Sequence, residues 1–328
     1  MKVSLSWLKD YIAINMDAEQ LAEALTMAGL EVESVSDRYA YLDSVVVGRI
    51  FEVKPHPNAD KLTICRVNTK DRDWSVVCGA PNVQEGMLAP LAKPGTIFPD
   101  GSQLGKSVIR GESSEGMLCS EAELGLGIDK SGIMALDSAL NAGDGLALSL
   151  GLSDAVFELD LTPNRPDCLS VIGIAREVAA IQNTPLNYPD YTVEDKGDTI
   201  HKISSVKIEA PDHCPRYSAR LVENVRVKPS PFWLQDRLSS IGLRPINNIV
   251  DITNFVMMET GQPLHGFDFD FLTENRIVVR TAAEGEKFIT LDEKERTLDP
   301  EMLMICDGAK AVGVGGVMGG LNSEIEAA

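Results

Sequence analysis

Between Val45 and Leu91 the chain is written as short β-branched runs broken by turn residues, and this punctuation limits what it can fold into. Val45-Val46-Val47-Gly48-Arg49-Ile50-Phe51-Glu52-Val53 reads as one strand, and Lys54-Pro55-His56-Pro57-Asn58-Ala59-Asp60-Lys61 as a turn. Further strands are expected over 62–67, 74–78 and 87–91. Strands this short, with turn signals at this spacing, build a barrel or a sandwich.

The flanks of this block are helical. Asp17 can cap a helix, with Gln20 closing a capping box and Met16 against Leu21 as a hydrophobic staple. Leu21, Ala24, Leu25 and Ala28 share a face, and Gly29 suits the position after the helix. Helical character returns after Thr162-Pro163-Asn164-Arg165-Pro166-Asp167, whose prolines force an extended turn and whose Asp167 can cap the next helix. Val171, Ile174, Ala175, Val178 and Ile181 mark one face of that helix.

Helix, strands, helix is the pattern of an insertion at a loop tip. The fold class expected is α+β multidomain. An amino-terminal α+β domain is divided between residues 1–38 and 152–190. A five-stranded OB-type β-barrel, for which about 110 residues suffice, occupies 39–151. Residues 191–202 are polar and read as a linker. Residues 203–328 read as a mixed α/β domain, with strands over 206–209, 277–280 and 288–291. In it Ser230-Pro231 looks like a cap and first-turn proline for a helix that buries Leu234, Leu238 and Ile241 and ends at Gly242.

A length of 328 residues is too great for one core. No apolar run approaches the ~20 residues of a membrane span, and the start lacks the apolar core of a signal peptide. A cytoplasmic protein is expected. The six cysteines form no Cys-x-x-Cys pair and the four histidines do not cluster, so neither a zinc site nor a disulfide framework is expected. Thirty Lys and Arg against forty-nine Asp and Glu leave a net charge of −19. Such a chain repels phosphate overall, so any contact with RNA must rest on local basic residues or on a partner.

The turn at 54–61 admits two readings, a rigid proline turn or an RNA-facing loop in which Arg49, Lys61 and Arg66 meet phosphates. Around it, Val46-Val47-Gly48-Arg49-Ile50, His56-Pro57-Asn58-Ala59-Asp60-Lys61-Leu62 and Val77-Cys78-Gly79-Ala80-Pro81-Asn82-Val83 resemble the tRNA-binding OB domain. Pro94-Gly95-Thr96 and Ser113-Ser114-Glu115-Gly116-Met117-Leu118-Cys119-Ser120 continue the likeness. Outside the block, Lys2-Val3-Ser4-Leu5-Ser6-Trp7-Leu8, Leu161 to Cys168, Asp251-Ile252-Thr253-Asn254-Phe255 and Gly261 to Asp268 resemble the β-subunit family of bacterial phenylalanine–tRNA ligase. The resemblance runs along essentially the whole chain. The family's subunit is more than twice as long, so the chain is expected to correspond to its amino-terminal part, with the last domain incomplete.

That resemblance implies a non-activating subunit of an (αβ)₂ heterotetramer, in which the α subunit activates the amino acid with ATP and Mg²⁺. The β subunit binds tRNA(Phe) and hydrolyses tyrosyl-tRNA(Phe). No cofactor is expected on this segment. The implied editing pocket uses His265, Thr253 and Asn254, with Gly315, Gly316, Gly319 and Gly320 as a wall that lets backbone approach the aminoacyl end. An acidic residue that reads the tyrosine hydroxyl lies, in the family, beyond the equivalent of Ala328. This segment alone is therefore expected to be inactive.

Plain alternatives stand beside each assignment. A histidine in a Pro-Leu-His-Gly turn is commonly structural, and Thr253 and Asn254 can simply cap or turn. Gly313 to Gly319 looks superficially like a dinucleotide fingerprint, but the stretch from Gly320 to Ala328 is too short for the helix and acid that fingerprint requires. Two other function classes remain open: an RNA-binding or chaperone module without chemistry, and a free-standing aminoacyl-tRNA deacylase. Because Asp and Glu outnumber Lys and Arg within 39–151, RNA binding by that segment should be weak and strongly salt-dependent. Filter binding across a salt series checks this, and a tight, salt-insensitive complex would contradict it.

Overall fold

The computed structural model describes residues 1–194 and 199–323. The expected linker therefore falls partly outside the described residues. Backbone contacts divide the chain into two units, Met1–Thr162 and Pro163–Ala328, both mixing helices with sheets. No helix among the described residues is long and apolar enough to cross a membrane.

The first unit begins with β1 (Lys2–Ser4), α1 (Leu5–Leu8), α2 (Ala18–Met27) and β2 (Glu31–Asp37). The capping box of α2 forms as the sequence predicts. The Asp17 carboxylate accepts from the Gln20 N–H at 2.9 Å, and the Gln20 side chain accepts from the Asp17 N–H at 3.2 Å. Leu21 and Leu25 are fully buried below it.

After β2 the chain makes a long excursion, which starts with β3 (Val45–His56), β4 (Ala59–Asn68), β5 (Asp73–Cys78) and β6 (Leu88–Ala92). It continues through β7 (Ser107–Ile109), β8 (Glu112–Ser114), β9 (Met117–Leu118) and α3 (Leu146–Ser149). The chain then returns as β10 (Ala155–Asp160), which lies between β1 and β2 and is antiparallel to both.

The two ends of the excursion touch, for the Arg38 N–H donates to the Asp154 carbonyl at 2.9 Å. The buried Asp154 carboxylate accepts from the Ser4 hydroxyl (2.7 Å), the Ser6 hydroxyl (2.9 Å) and the Ser6 N–H (2.9 Å). Ser4 in turn accepts from the Trp7 N–H and caps α1.

The central sheet has the order β5-β4-β3-β6-β9 and is antiparallel throughout. It is buried on two sides. Ile50, Cys65, Val67, Val76 and Leu91 belong to one apolar cluster, while Val45, Val47, Leu88, Cys119, Leu124 and Leu146 belong to another. That is why β3 and β6 read as nearly continuous apolar runs rather than alternating ones.

Two expectations change here. β3 and β4 extend to His56 and Ala59, leaving only Pro57 and Asn58 at the tip of the hairpin. The sheet also does not close as a hydrogen-bonded barrel. Among the described residues no ladder joins its ends, β5 and β9. The segment before β9 stitches to β5 instead. The Glu115 N–H donates to the Ser75 carbonyl (2.8 Å), and the Glu115 carboxylate accepts from the Ser75 N–H (3.1 Å). The Ser114 hydroxyl accepts from the Val77 N–H at 3.1 Å. Side chains thus occupy positions that a closing strand would fill with backbone.

The second unit opens with α4 (Val171–Gln182). Ser170, not Asp167, caps it, accepting from the Gly173 N–H at 3.0 Å. Asp167 is held by the Arg165 guanidinium at 3.1 and 2.9 Å, and the same guanidinium reaches Glu177 at 2.7 Å. After β11 (Ser205–Ile208) come α5 (Phe232–Ser240), α6 (Asn248–Thr260) and β12 (Arg276–Thr281). Next in order are β13 (Lys287–Ile289), β14 (Glu295–Thr297), β15 (Leu303–Cys306), β16 (Ala311–Val314) and β17 (Met318–Gly319).

The sheet order is β11-β12-β15-β16-β17, with β11 parallel to β12 and the other pairs antiparallel. The expected helix at 232 is present, with Leu234, Leu238 and Ile241 buried. Ser230 does not cap it. Its buried hydroxyl donates to Asp251 at 2.5 Å, because a buried carboxylate needs donors more than an exposed helix start does.

Gly173 sits where a Cβ would come within 2.0 Å of the Asp167 carbonyl oxygen. Gly173→Ala should therefore destabilise the second unit by roughly 1–3 kcal/mol, the usual cost of forcing extra volume into packed structure. A lowered thermal midpoint checks this.

Candidate functional site

The glycine-rich stretch forms the β16–β17 hairpin, and its four predicted glycines do four different things. Gly316 takes a left-handed φ of +71° at the turn. A Cβ on Gly315 would press on Leu303 at 3.0 Å, and one on Gly320 would meet Phe288 at 2.6 Å. Only Gly319 faces the predicted histidine. A Cβ there would lie 2.7 Å from His265 Cε1, 2.9 Å from Nε2 and 3.2 Å from Leu291 Cδ1. The absence of a side chain is what lets the imidazole reach the strand. The Gly319 carbonyl is taken by the Leu291 N–H at 3.1 Å, which fixes the strand beside the ring.

His265 comes after α6 by a short loop and stands edge-on to Phe267, with ring centroids 4.6 Å apart. It remains open to solvent on one side. Protein crowding on the other side disfavours the charged form and pushes its pKa below the ordinary histidine value. The imidazole makes no hydrogen bond among the described residues. A neutral imidazole with uncommitted nitrogens can orient a water molecule or a hydroxyl.

Thr253 and Asn254 are placed differently. Both lie half-buried on α6, which packs on α5 and α4. The Thr253 hydroxyl donates to the Val250 carbonyl of its own helix at 2.8 Å. Among the described residues no hydrogen bond joins either to His265. Conversely, Phe267 stands against the imidazole and Leu291 against Gly319, and neither was among the expected residues. Nothing local in the sequence marks Leu291, which arrives through the β17 pairing.

In the first unit, Arg49 and Arg66 alternate with the buried Ile50, Cys65 and Val67, so both face away from that core. Lys61 is exposed near the hairpin tip. None of the three is in an ion pair among the described residues. The polar residues of the surrounding motifs turn inward. The Asn58 N–H donates to His56 Nδ1 (3.1 Å), which leaves Nε2–H to donate to the Ile109 carbonyl (3.0 Å). Asn82 pairs with both the N–H and the carbonyl of Ile133, at 3.0 and 2.8 Å. These are internal staples, so the plain reading of the turn holds for His56 and Asn58.

Asp167, Cys168 and Glu177 place ligand-type atoms within 4.8 Å of one another. The Arg165 guanidinium already engages all three, and it holds the Asp167 carboxyl down at about 2. A cluster whose ligand atoms are already engaged by a fixed cation does not suit Mg²⁺.

The family described as a tRNA binding domain matches residues 45–145, and the family described as the B3/4 domain matches residues 213–328. Over 99% of its length the chain is 54% identical to the phenylalanine–tRNA ligase beta subunit of Syntrophus aciditrophicus. It is 50% identical to that of Moorella thermoacetica and 48% to that of Geobacter sulfurreducens, again over 99% of its length. The chain belongs to the phenylalanine–tRNA ligase beta-subunit family. It spans about two-fifths of these relatives, covering 40, 41 and 41% of their lengths. Among solved structures, a MetRS related protein from Pyrococcus horikoshii aligns over 31% of this chain and 87% of its own, at 17% identity and a TM-score of 0.24. A likeness this slight carries no weight.

The His265 environment predicts a proton titration midpoint below the ordinary 6.5, leaving the ring neutral at pH 7. NMR titration of its ring protons checks this. Because the folded-state pKa is lowered, protonation as the pH falls opposes the folded form.

Proposed function

We propose that this chain acts as part of the non-activating β subunit of a cytoplasmic phenylalanine–tRNA ligase. In this reading it joins an α subunit in an (αβ)₂ heterotetramer, and the α subunit supplies activation with ATP and Mg²⁺. The Asp167, Cys168 and Glu177 cluster does not suit Mg²⁺, so no step here runs through it. The split amino-terminal domain comprises residues 1–38 and 152–190, the OB-type tRNA-binding domain 39–151, and the editing domain 203–328. Arg49, Lys61 and Arg66 contact tRNA phosphates from the exposed side of the β3–β4 hairpin.

The editing reaction is hydrolysis of tyrosyl-tRNA(Phe). Tyrosine differs from phenylalanine by one hydroxyl, and a hydrophobic activation pocket rejects such an analogue by only about 10²-fold. A second, hydrolytic site is the available remedy. The observation that carries this reading is a neutral imidazole, His265, standing against backbone that only Gly319 permits.

The backbone of Gly315, Gly316, Gly319 and Gly320 receives the aminoacyl end, and His265 orients the attacking water. The water oxygen bonds to the ester carbonyl carbon. The bond to the terminal ribose oxygen breaks, and that oxygen takes up the proton the water gives up. Tyrosine and free tRNA result, with no covalent enzyme intermediate. Thr253 and Asn254 support the pocket from α6.

The test uses the full-length subunit assembled with its α partner. His265→Ala and Gly319→Trp should each slow tyrosyl-tRNA(Phe) deacylation about 10²-fold, the scale of a lost or misplaced reacting group, while phenylalanylation stays near wild type. Unchanged deacylation in both variants removes the assignment.

A further inference from the structure

The charge of this chain is unevenly spread. Overall, Asp and Glu outnumber Lys and Arg to give −19, yet residues 214–250 hold six Lys and Arg against two Asp and Glu. This basic island lies away from the OB-type segment and away from His265 in sequence. Its Arg226, Lys228 and Arg244 are exposed, and none of these three is in an ion pair among the described residues. Solvated basic residues are common, so composition alone decides nothing. The backbone that carries them is what distinguishes this group.

Two separate loops bring these residues to one place, the first turn of α6. Asn248 fastens the first loop. Its side-chain oxygen accepts from the Lys228 N–H (3.0 Å), its side-chain nitrogen donates to the Arg226 carbonyl (3.0 Å), and its own N–H donates to the Lys228 carbonyl (2.9 Å). Asp251, fully buried, fastens both loops together. One carboxylate oxygen accepts from Ser230, two residues after Lys228, and the other accepts from the Ile246 N–H (2.8 Å), two residues after Arg244.

The polar side chains of Asn248 and Asp251 are thus spent on main chain and on Ser230. The three long cationic side chains are left to reach outward. Three residues after Ser230, on α5, stands Trp233, 57% exposed, its ring set edge-on against Phe255 of α6 with centroids 5.6 Å apart. An exposed indole braced by a neighbouring ring offers a stacking face to a nucleobase.

Exposed cations on two loops tied to one helix start, with an exposed aromatic ring on the helix that follows the first loop, match a polyanion carrying flat bases. We infer that the amino end of α6, with Arg226, Lys228, Arg244 and Trp233, is an RNA-docking surface that holds the sugar-phosphate backbone of the tRNA whose aminoacyl end is edited. This rests on the proposed function for the identity of the RNA. The same helix leads through the loop at 261–264 to His265, so a strand gripped at its amino end is held by the element that also positions the imidazole. Docking and chemistry thereby share a frame. A protein partner with an acidic face would meet the same cations and could bury the same indole, so it is an outcome the experiment must separate.

The experiment measures binding of uncharged tRNA(Phe) across a salt series, both to the 328-residue chain and to the complete subunit with its α partner. The variants are Arg226→Gln, Lys228→Gln and Arg244→Gln, singly and together, and Trp233→Ala. Each lost phosphate contact should flatten the slope of log affinity against log salt by about 0.7–0.9, so the triple variant should lose roughly two to three units. Trp233→Ala should weaken binding about tenfold or more with the slope unchanged, as for a lost base stack.

In the editing assay the triple variant should raise KM for tyrosyl-tRNA(Phe) and leave kcat near wild type. His265→Ala should leave tRNA affinity and slope unchanged, so a failed editing assignment does not mimic a failed docking surface. The single substitutions are at exposed side chains and keep the test open should the triple variant not fold. Unaltered slopes in the single variants overturn the proposal. So does an intact tRNA slope accompanied by loss of α-subunit assembly, which would assign the surface to a protein partner.

Discussion

The hydrogen bond from the Arg38 N–H to the Asp154 carbonyl closes an excursion of more than a hundred residues, and the strand pairing around it depends on that closure. β10 lies between β1 and β2, so the three-stranded sheet exists only when residues 155–160 have come back beside residues 31–37. Asp154 holds the return with both its ends. Its carbonyl binds the point of departure, and its carboxylate binds Ser4 and Ser6 at the start of the chain. A carboxylate that is only 5% exposed is tolerable because three donors replace its water. Whatever the intervening sheet does, its two attachment points are fixed to each other.

That sheet solves a second problem. Five strands with apolar clusters on both sides leave two open edges, β5 and β9, close together. Edges of that kind invite pairing with other chains. Ser114 and Glu115 satisfy β5 with a hydroxyl, a carboxylate and a single backbone N–H. The motif residues that give the segment its family likeness are mostly spent on such internal work. His56 and Asn58 tie the β3–β4 hairpin to the β7–β8 hairpin, and Asn82 ties down Ile133. Arg49 and Lys61 of the same motifs, by contrast, stay exposed and make no ion pair among the described residues.

How much was legible in the sequence depends on how far each interaction reaches. The α2 capping box was readable because Asp17 and Gln20 are three residues apart and share one turn. The apolar faces of α4 and α5 were readable because periodicity is local. Ser230 and Asp167 misled for one reason: each is a good cap by type, but a stronger partner waited in space. For Ser230 that partner is the buried Asp251, and for Asp167 it is the Arg165 guanidinium. Asp154 carried no local signal at all, since its partners lie at the far end of the chain. At the candidate site, His265 and Gly319 were named by family likeness, and only the structure brings them into contact. Leu291 was invisible because β-sheet register, not sequence spacing, brings it there.

The wall beside His265 is made of main chain, and main chain has no rotamers. A pocket lined by side chains can widen when one of them swings, and it then admits neighbours of its preferred ligand. The strip at Gly319 is pinned by the Leu291 hydrogen bond and the β16 pairing, so it cannot yield in that way. Its clearance to the imidazole behaves as a fixed gauge rather than an adjustable grip. Evolution can close such a gauge in one step, with any residue larger than hydrogen, but has few means of tuning it by degrees.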